Sequence, residues 1–225
     1  MKNNKSPNEI TNTYYICAYV TNIVYCNKFT QKNIVRSGLM NRLDEMLEYN
    51  KKFVQDKEYE KFSTSKTPDK KILIFSCMDT RLTELLPKAL NIKNGDVKIV
   101  KNAGAEITSP FGSVMKSIVV AIYEFNVEEI IVIGHYGCGM CNVNVTEIIS
   151  KIKQRGISEE VLNVLEYAGH DLKKWLKGFN SVEESIKEIV KTIKEHPLVP
   201  KNISVHGLIM SPDTGKVDVV VNGYL

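Results

Sequence analysis

Residues 130–141 read IIVIGHYGCGMC. The first four form a short apolar run, which has the length and composition of a strand buried on both faces, and the glycines that follow end it. Short buried strands that alternate with longer helical patterns are typical of a mostly parallel sheet covered by helices. This stretch therefore predicts an α/β fold.

Four further runs of apolar and β-branched residues have the same character. The last two flank Ser211-Pro212-Asp213-Thr214-Gly215, in which proline presets φ and glycine permits a positive φ, so they should form a hairpin. The sequence thus predicts an α/β fold class: a mostly parallel central sheet of about five strands with flanking helices and an antiparallel C-terminal edge strand. The predicted strands are 71–76, 97–100, 129–134, 203–210 and 216–221.

Helical spacing of apolar residues fills most of the segments between these strands. The final helix has the clearest limits, since Ser181 and Glu184 form a capping box and Pro197 follows its end. The predicted helices are 41–56, 113–125, 144–153, 158–167, a short segment near Trp175, and 182–195.

The first 39 residues differ from the rest of the chain. They are rich in Asn, Thr, Tyr and Lys and show no sustained hydrophobic period. Two interpretations stay open: residues 1–39 form a flexible N-terminal extension, or Met40 is the true start. In either case residues 40–225 form one domain, and 225 residues of which 43% are hydrophobic can bury a substantial core.

Composition excludes several classes of protein. The net charge of +4 is spread along the chain and not gathered into a basic stripe, so no nucleic-acid partner is expected. The longest purely apolar stretch, Ile118–Tyr123, is far shorter than the roughly 20 residues of a membrane-spanning helix. Five cysteines, an odd number in a lysine-rich chain, argue against a disulfide framework and favour a reducing cytoplasm.

Two predicted strand ends carry metal-binding residue types. Cys77 follows the first strand, and His135 and Cys138 follow the third. Ligands bind at the carboxyl ends of strands in α/β sheets, and two thiolates with an imidazole suit Zn²⁺. Any one of these residues alone is most often structural, but glycines on both sides of His135 and Cys138 let the backbone bend around an ion. Three ligands leave a coordination position open, which is typical of catalytic zinc sites.

Asp79 and Arg81 form a second pair next to Cys77. An arginine two residues along an extended segment can bind a carboxylate through two parallel hydrogen bonds. Two interpretations stay open: the pair is a structural ion pair, or Arg81 orients Asp79 so that its free oxygen accepts a hydrogen bond from a water bound at the open position of the zinc ion.

Cys138 and Cys141 also form a Cys-x-x-Cys motif, which could be a redox dithiol or half of a zinc ribbon. No second Cys-x-x-Cys exists, which excludes the ribbon. A redox pair normally opens a helix after the first strand, whereas this pair follows the third strand beside a histidine. Cys141 is therefore interpreted as a buried neighbour of the site.

Three motifs together resemble one enzyme family. Residues 77–81 read Cys-x-Asp-x-Arg, residues 101–104 read Lys-Asn-Ala-Gly, and residues 135–139 read His-x-x-Cys-Gly. In this order and at these strand ends they resemble the β-class carbonic anhydrase family, in its compact bacterial branch, from about Met40 to the C-terminus.

The resemblance implies one Zn²⁺ per chain, held by Cys77, His135 and Cys138, and reversible hydration of CO₂ to bicarbonate and a proton. It further implies a catalytic dyad of Asp79 and Arg81. Asp79 is also a candidate metal ligand, because it could move to the open position when its contact with Arg81 is lost.

Ala103, Gly104 and Gly139 are assigned to the substrate pocket on the same basis. The family implies a homodimer or higher homo-oligomer as well. Two other functions stay open: hydrolysis of carbonyl sulfide or carbon disulfide on the same fold, and a zinc-binding protein without catalysis.

Overall fold

The computed structural model describes residues 41–225, together with the backbone of two strands, 11–20 and 23–32. The chain divides into two compact units, Met1–Lys61 and Phe62–Leu225. The boundary predicted between residues 39 and 40 stays a prediction.

The first unit contains two strands and a helix. Strands β1 (Thr11–Val20) and β2 (Ile23–Lys32) pair antiparallel, in the segment where the sequence shows no sustained period. Helix α1 (Arg42–Gln55) confirms the helix predicted over 41–56. Asn41 caps it, since its side-chain oxygen accepts a hydrogen bond from the backbone N–H of Asp44 at 3.0 Å.

The second unit is built on a five-stranded sheet whose spatial order is β4-β3-β5-β6-β7. Its first four strands are parallel to one another, and β7 pairs antiparallel with β6. The predicted fold class is confirmed. The strands are β3 (Ile72–Cys77), β4 (Val97–Asn102), β5 (Glu129–His135), β6 (Ser204–Met210) and β7 (Val217–Val221).

Five of the six helices of this unit were expected from the sequence. The exception is α2, whose sequence signals are weak: Arg81 at its N-terminus makes no side-chain capping bond, and Pro87 lies inside it. The helices are α2 (Leu82–Ala89), α3 (Ser113–Phe125), α4 (Val145–Gln154), α5 (Glu159–Tyr167), α6 (Leu172–Leu176) and α7 (Val182–Glu195).

Helix α7 packs closely on the sheet because two strand residues have no side chain. A Cβ atom at Gly207 of β6 would lie 2.6 Å from Ile186, and one at Gly134 of β5 would lie 2.8 Å from Val182. Larger residues at either glycine would push the helix away. This contact fixes β5 just before its last residue, His135.

The turn between β6 and β7 confirms the predicted hairpin. Ser211 donates its backbone N–H to the carbonyl of Lys216 at 2.8 Å, and Gly215 has a φ of +74°. No helix of the described part of the chain, residues 41–225, is long and apolar enough to cross a membrane.

Candidate metal centre

Three predicted ligands meet at the carboxyl edge of two neighbouring strands. Cys77 is the last residue of β3, and His135 is the last residue of β5, the strand beside it. Cys138 follows three residues later. All three side chains are buried, with exposed fractions of 5%, 1% and 7%. The parallel pairing therefore creates the cluster, and burial excludes bulk water from it.

The ligand atoms of Cys77, His135 and Cys138, here called the Cys-His-Cys cluster, all lie within 4.8 Å of one another. The two Sγ atoms are 3.9 Å apart. His135 places Nδ1 2.9 Å from the carbonyl oxygen of Tyr136, which can only accept, so Nδ1 carries the proton. This leaves the Nε2 lone pair directed to the cluster.

His135 Nε2 is buried and has no hydrogen-bond partner among the described residues. A buried polar atom left unpaired costs free energy, which a metal ion at this position would remove. Two sulfurs and one imidazole nitrogen, with the other imidazole nitrogen fixed by a carbonyl, form the donor set that Zn²⁺ prefers. The residues present fit a zinc ion.

The two thiols of the cluster differ in acidity. Burial raises the pKa of Cys77, but the nearby His135 ring and the backbone N–H groups of Asp79 and Gly104 outweigh it and lower this pKa to about 7. Burial raises the pKa of Cys138 to about 11. One thiolate is thus available near neutral pH, whereas the second requires a cation for its deprotonation.

Asp79 and Arg81 form the pair that the sequence predicts. Arg81 donates from Nε to Oδ1 at 3.0 Å, from Nη2 to Oδ2 at 2.8 Å, and from its backbone N–H to Oδ1 at 2.9 Å. Arg81 Nη2 also donates to the carbonyl of Gly137 at 3.1 Å, a contact that the sequence did not predict. These hydrogen bonds hold the pKa of Asp79 well below its usual range.

Asp79 lies next to the Cys-His-Cys cluster but is not one of its three residues. Its Oδ2 lies 3.7 Å from His135 Nε2, while both of its oxygens are bound by Arg81. The structure thus has the carboxylate in its Arg81-bound arrangement. The expectation that Asp79 can also bind the metal stays a prediction.

The segment after β4 reaches the cluster through a clamp. Asn102 donates from Nδ2 to the Glu106 carbonyl at 2.7 Å and accepts from the Glu106 N–H at 3.0 Å. Within this clamp lies Gly104, whose backbone N–H helps to lower the pKa of the Cys77 thiol. Gly104 has a φ of +74°, and a Cβ there would lie 3.1 Å from Cβ of Met140, so only glycine fits without strain.

The remaining predicted pocket residues lie in the same region. Ala103 is half-buried in the 3₁₀ turn of Gly104, and Gly139 faces open space, since nothing lies within 4 Å of a Cβ placed there. Glu106, which the sequence analysis did not single out, lines a groove of about 900 Å³ together with Trp175. Burial raises the pKa of Glu106. Only its position two residues beyond the Asn-Ala-Gly motif could have drawn attention to it.

The other three histidines lie outside the Cys-His-Cys cluster. His196 Nε2 lies 2.9 Å from the Pro110 carbonyl, and His206 Nδ1 accepts the N–H of Gly223 at 3.0 Å. His170 is exposed. Cys141 is half-buried, so its predicted burial is only partly correct, and its Sγ lies 3.4 Å from the Asn180 carbonyl.

The comparisons with known proteins agree with this geometry. A family model described as "Carbonic anhydrase" matches residues 72–217, which include the whole cluster and the dyad. The chain is 56% identical over 185 residues to "Putative carbonic anhydrase YtiB" of Bacillus subtilis, covering 82% of this chain and 99% of the relative. The chain belongs to the β-class carbonic anhydrase family. The predicted resemblance is confirmed, and the chain is an enzyme of that family.

A solved structure and a more distant relative extend the comparison. The crystal structure of β-carbonic anhydrase isoform I of Trichomonas vaginalis matches with a TM-score of 0.75 and 35% identity, covering 82% of this carbonic anhydrase and 100% of that chain. "Carbon disulfide hydrolase" of Acidithiobacillus thiooxidans is 30% identical over 155 residues, covering 65% of this chain and 75% of the relative.

Proposed function

We propose that this carbonic anhydrase catalyses the zinc-dependent, reversible hydration of CO₂ to bicarbonate and a proton. The observation that carries the proposal is Nε2 of His135, which has no hydrogen-bond partner in residues 41–225 and lies near two thiols and 3.7 Å from an arginine-bound carboxylate. Cys77, His135 and Cys138 would hold one zinc ion per chain. Bound there, zinc supplies a Lewis acid that makes a hydroxide nucleophile available near neutral pH.

The dyad residues orient the attacking water. Oδ1 of Asp79 already accepts two hydrogen bonds from Arg81, whereas Oδ2 accepts one. A carboxylate oxygen has about two acceptor sites, so Oδ2 keeps one free on the side of His135. Arg81 holds Asp79 ionised, and the free site of Oδ2 accepts a hydrogen bond from the water. The water then directs a lone pair toward the carbon of CO₂.

Backbone groups of small residues would line the substrate pocket. CO₂ is linear and uncharged, so it needs little more than space and a few polar contacts near the nucleophile. We assign this role to Ala103, Gly104 and Gly139. Gly104 is in contact with the sulfur of Cys77 through its N–H, and Gly139 leaves open space beside Cys138.

Elemental analysis combined with stopped-flow kinetics tests this function. The purified protein should contain one zinc per chain and should accelerate CO₂ hydration, with the rate rising above neutral pH because two thiolates make the metal a weaker acid than three neutral imidazoles would. Zinc-loaded protein that does not accelerate hydration would overturn the proposal. Zinc without any turnover would favour a binding protein without catalysis.

A second candidate is the hydrolysis of carbon disulfide or carbonyl sulfide, which the 30% identity to a carbon disulfide hydrolase favours. Both substrates are linear like CO₂ but carry a larger and less polar sulfur end. Turnover of the three substrates by the same preparation decides between the candidates. We expect the largest kcat/KM for CO₂, and a larger value for either sulfur compound would reverse the assignment.

Family membership also leads us to propose a homodimer or higher homo-oligomer in the cytoplasm. Light scattering coupled to size-exclusion chromatography measures the mass in solution, and a monomer would contradict the first part. Fractionation of cells would test the second.

A further inference from the structure

The third cysteine of the site region is not part of the Cys-His-Cys cluster. Cys141 packs against the apolar group that contains Cys77 and Cys138. Its side chain is half-buried, whereas those of Cys77 and Cys138 are buried. Its Sγ contacts the Asn180 carbonyl at 3.4 Å and the Nδ2 of Asn142 at 3.5 Å. Cys141 is therefore the thiol of this region that solvent reaches most easily.

The backbone brings Cys141 within reach of Cys138. The N–H of Cys141 donates to the carbonyl of Cys138 at 3.0 Å, which closes a β-turn over Gly139 and Met140. The end residues of a β-turn have Cα atoms within about 7 Å, and disulfides span Cα separations of roughly 4.4–6.8 Å. The turn therefore brings the two Cα atoms to a separation in the range that disulfides span.

We propose that Cys138 and Cys141 form an oxidative modification site at which hydrogen peroxide produces a disulfide and so removes Cys138 from the metal-binding cluster. The loss of metal rests on the proposed function, because it requires that Cys138 holds zinc. The disulfide itself does not, since it depends only on the turn and on the exposure of Cys141.

The reaction balances with peroxide as the oxidant. The sulfur of Cys141 attacks one peroxide oxygen, the O–O bond breaks, and a sulfenic acid and one water form. The sulfur of Cys138 then attacks the sulfenic sulfur, the S–O bond breaks, and a second water leaves. Two thiols and one peroxide thus give one disulfide and two waters, and a dithiol reductant reverses the change by thiol–disulfide exchange.

Cys77 is the competing partner, because its Sγ lies 3.9 Å from that of Cys138. Two observations favour Cys141 instead. Peroxide must reach a sulfur first, and both Cys77 and Cys138 are at most 7% exposed. The backbone of Cys77 is also fixed by its pairing with Asn102 of β4, whereas Cys141 lies in a turn.

Peptide mapping of the full-length protein distinguishes the two partners. Trypsin cleaves after Lys and Arg, so Cys138 and Cys141 fall in one peptide, residues 117–151, and Cys77 falls in another, residues 72–81. After peroxide treatment of metal-free protein, we expect peptide 117–151 to be two hydrogen atoms lighter and unlinked, and to return to its original mass with a dithiol. A linked pair of peptides 72–81 and 117–151, or no change in either, would overturn the proposal.

The variant Cys141→Ser provides the matched test on zinc-loaded protein. A chromogenic chelator should detect zinc release from the wild-type protein under peroxide, and release from C141S should be about tenfold slower because the exposed thiol is missing. Equal release rates would contradict the proposed order of attack. Zinc is measured before peroxide is added. A protein that holds no zinc at that point contradicts the proposed function, whereas the peptide map of the metal-free protein still tests whether the disulfide forms.

Discussion

The ends of strands β3 and β5 lie side by side but differ in how well their polar groups are paired. At the end of β3, the carboxylate of Asp79 receives three hydrogen bonds from Arg81. At the end of β5, Nε2 of His135 has no hydrogen-bond partner among the described residues. The first region is complete within the chain, whereas the second requires a further partner. The comparison separates the Asp79–Arg81 pair, whose polar groups are paired within the chain, from the Cys-His-Cys cluster, which draws on both strand ends and leaves Nε2 of His135 without a partner among the described residues.

Removal of a cluster sulfur should have the largest effect, because it acts on the incomplete region. We expect Cys138→Ser to reduce zinc from one per chain to nearly none, and to abolish hydration with it. Elemental analysis of the variant after dialysis measures this. Cys141→Ser, three residues along the same turn, is the matched control and should keep its zinc. A C138S protein with full zinc would exclude this thiol as a ligand.

Removal of the Asp79 carboxylate breaks the pair with Arg81 and should lower turnover without changing the zinc content. In Asp79→Ala we expect kcat to fall by roughly 10²–10³, the order seen when one positioned hydrogen-bonding group of an active site is removed. Zinc content should stay at one per chain, since the ligands are untouched. Arg81→Lys, which keeps the charge but loses the paired geometry, should cause a smaller loss. Full activity of D79A would remove the dyad from the mechanism.

The close packing of the turn at Gly104 can be tested by adding one methyl group. Gly104→Ala places a Cβ 3.1 Å from Met140 at a φ of +74°, so we expect it to lower the free energy of unfolding by about 1–2 kcal/mol. Gly139→Ala meets nothing within 4 Å and should change stability by less than about 0.5 kcal/mol. Denaturant unfolding compares the two, and equal effects would contradict the close approach of Gly104 to the site.

The smallest effect we expect is a pH dependence of the metal-free protein. The pKa of Cys77 is lowered from 9.0 to about 7, so the folded state loses this proton before the unfolded state does. Cys77 should therefore add stability as pH increases from about 7 to 9, and this contribution should be lost as pH falls through 7, whereas the raised pKa of His135 gives a contribution of opposite sign that is lost as pH rises. Thiolate absorbance should show a step near pH 7 that is missing in Cys77→Ser. The same step in both proteins would assign it to another thiol.

Sequence patterns could predict the sheet and the dyad because each depends on local chemistry. Buried parallel strands appear as continuous apolar runs, and the spacing of Asp79 and Arg81 allows a two-pronged contact within one segment. The proximity of Cys77 to His135 follows once their strands are adjacent. Contacts between distant segments were not predictable, as the hydrogen bond from Arg81 to the Gly137 carbonyl shows. The clamp between Asn102 and Glu106 spans only four residues, but it depends on the irregular turn at Gly104, which no helix or strand pattern indicates. Helix α2 was missed because its sequence carries a proline and no capping side chain.

The two glycines beneath helix α7 have a consequence for how the sequence can vary. Gly134 immediately precedes a cluster residue, and Val182 and Ile186 rest almost directly on its backbone. A larger side chain at position 182 or 186 would find no free space and would press on the strand that carries His135. Substitutions on this inner face of α7 should therefore displace Nε2 of His135. The position of that atom should limit which residues are tolerated there as much as thermal stability does.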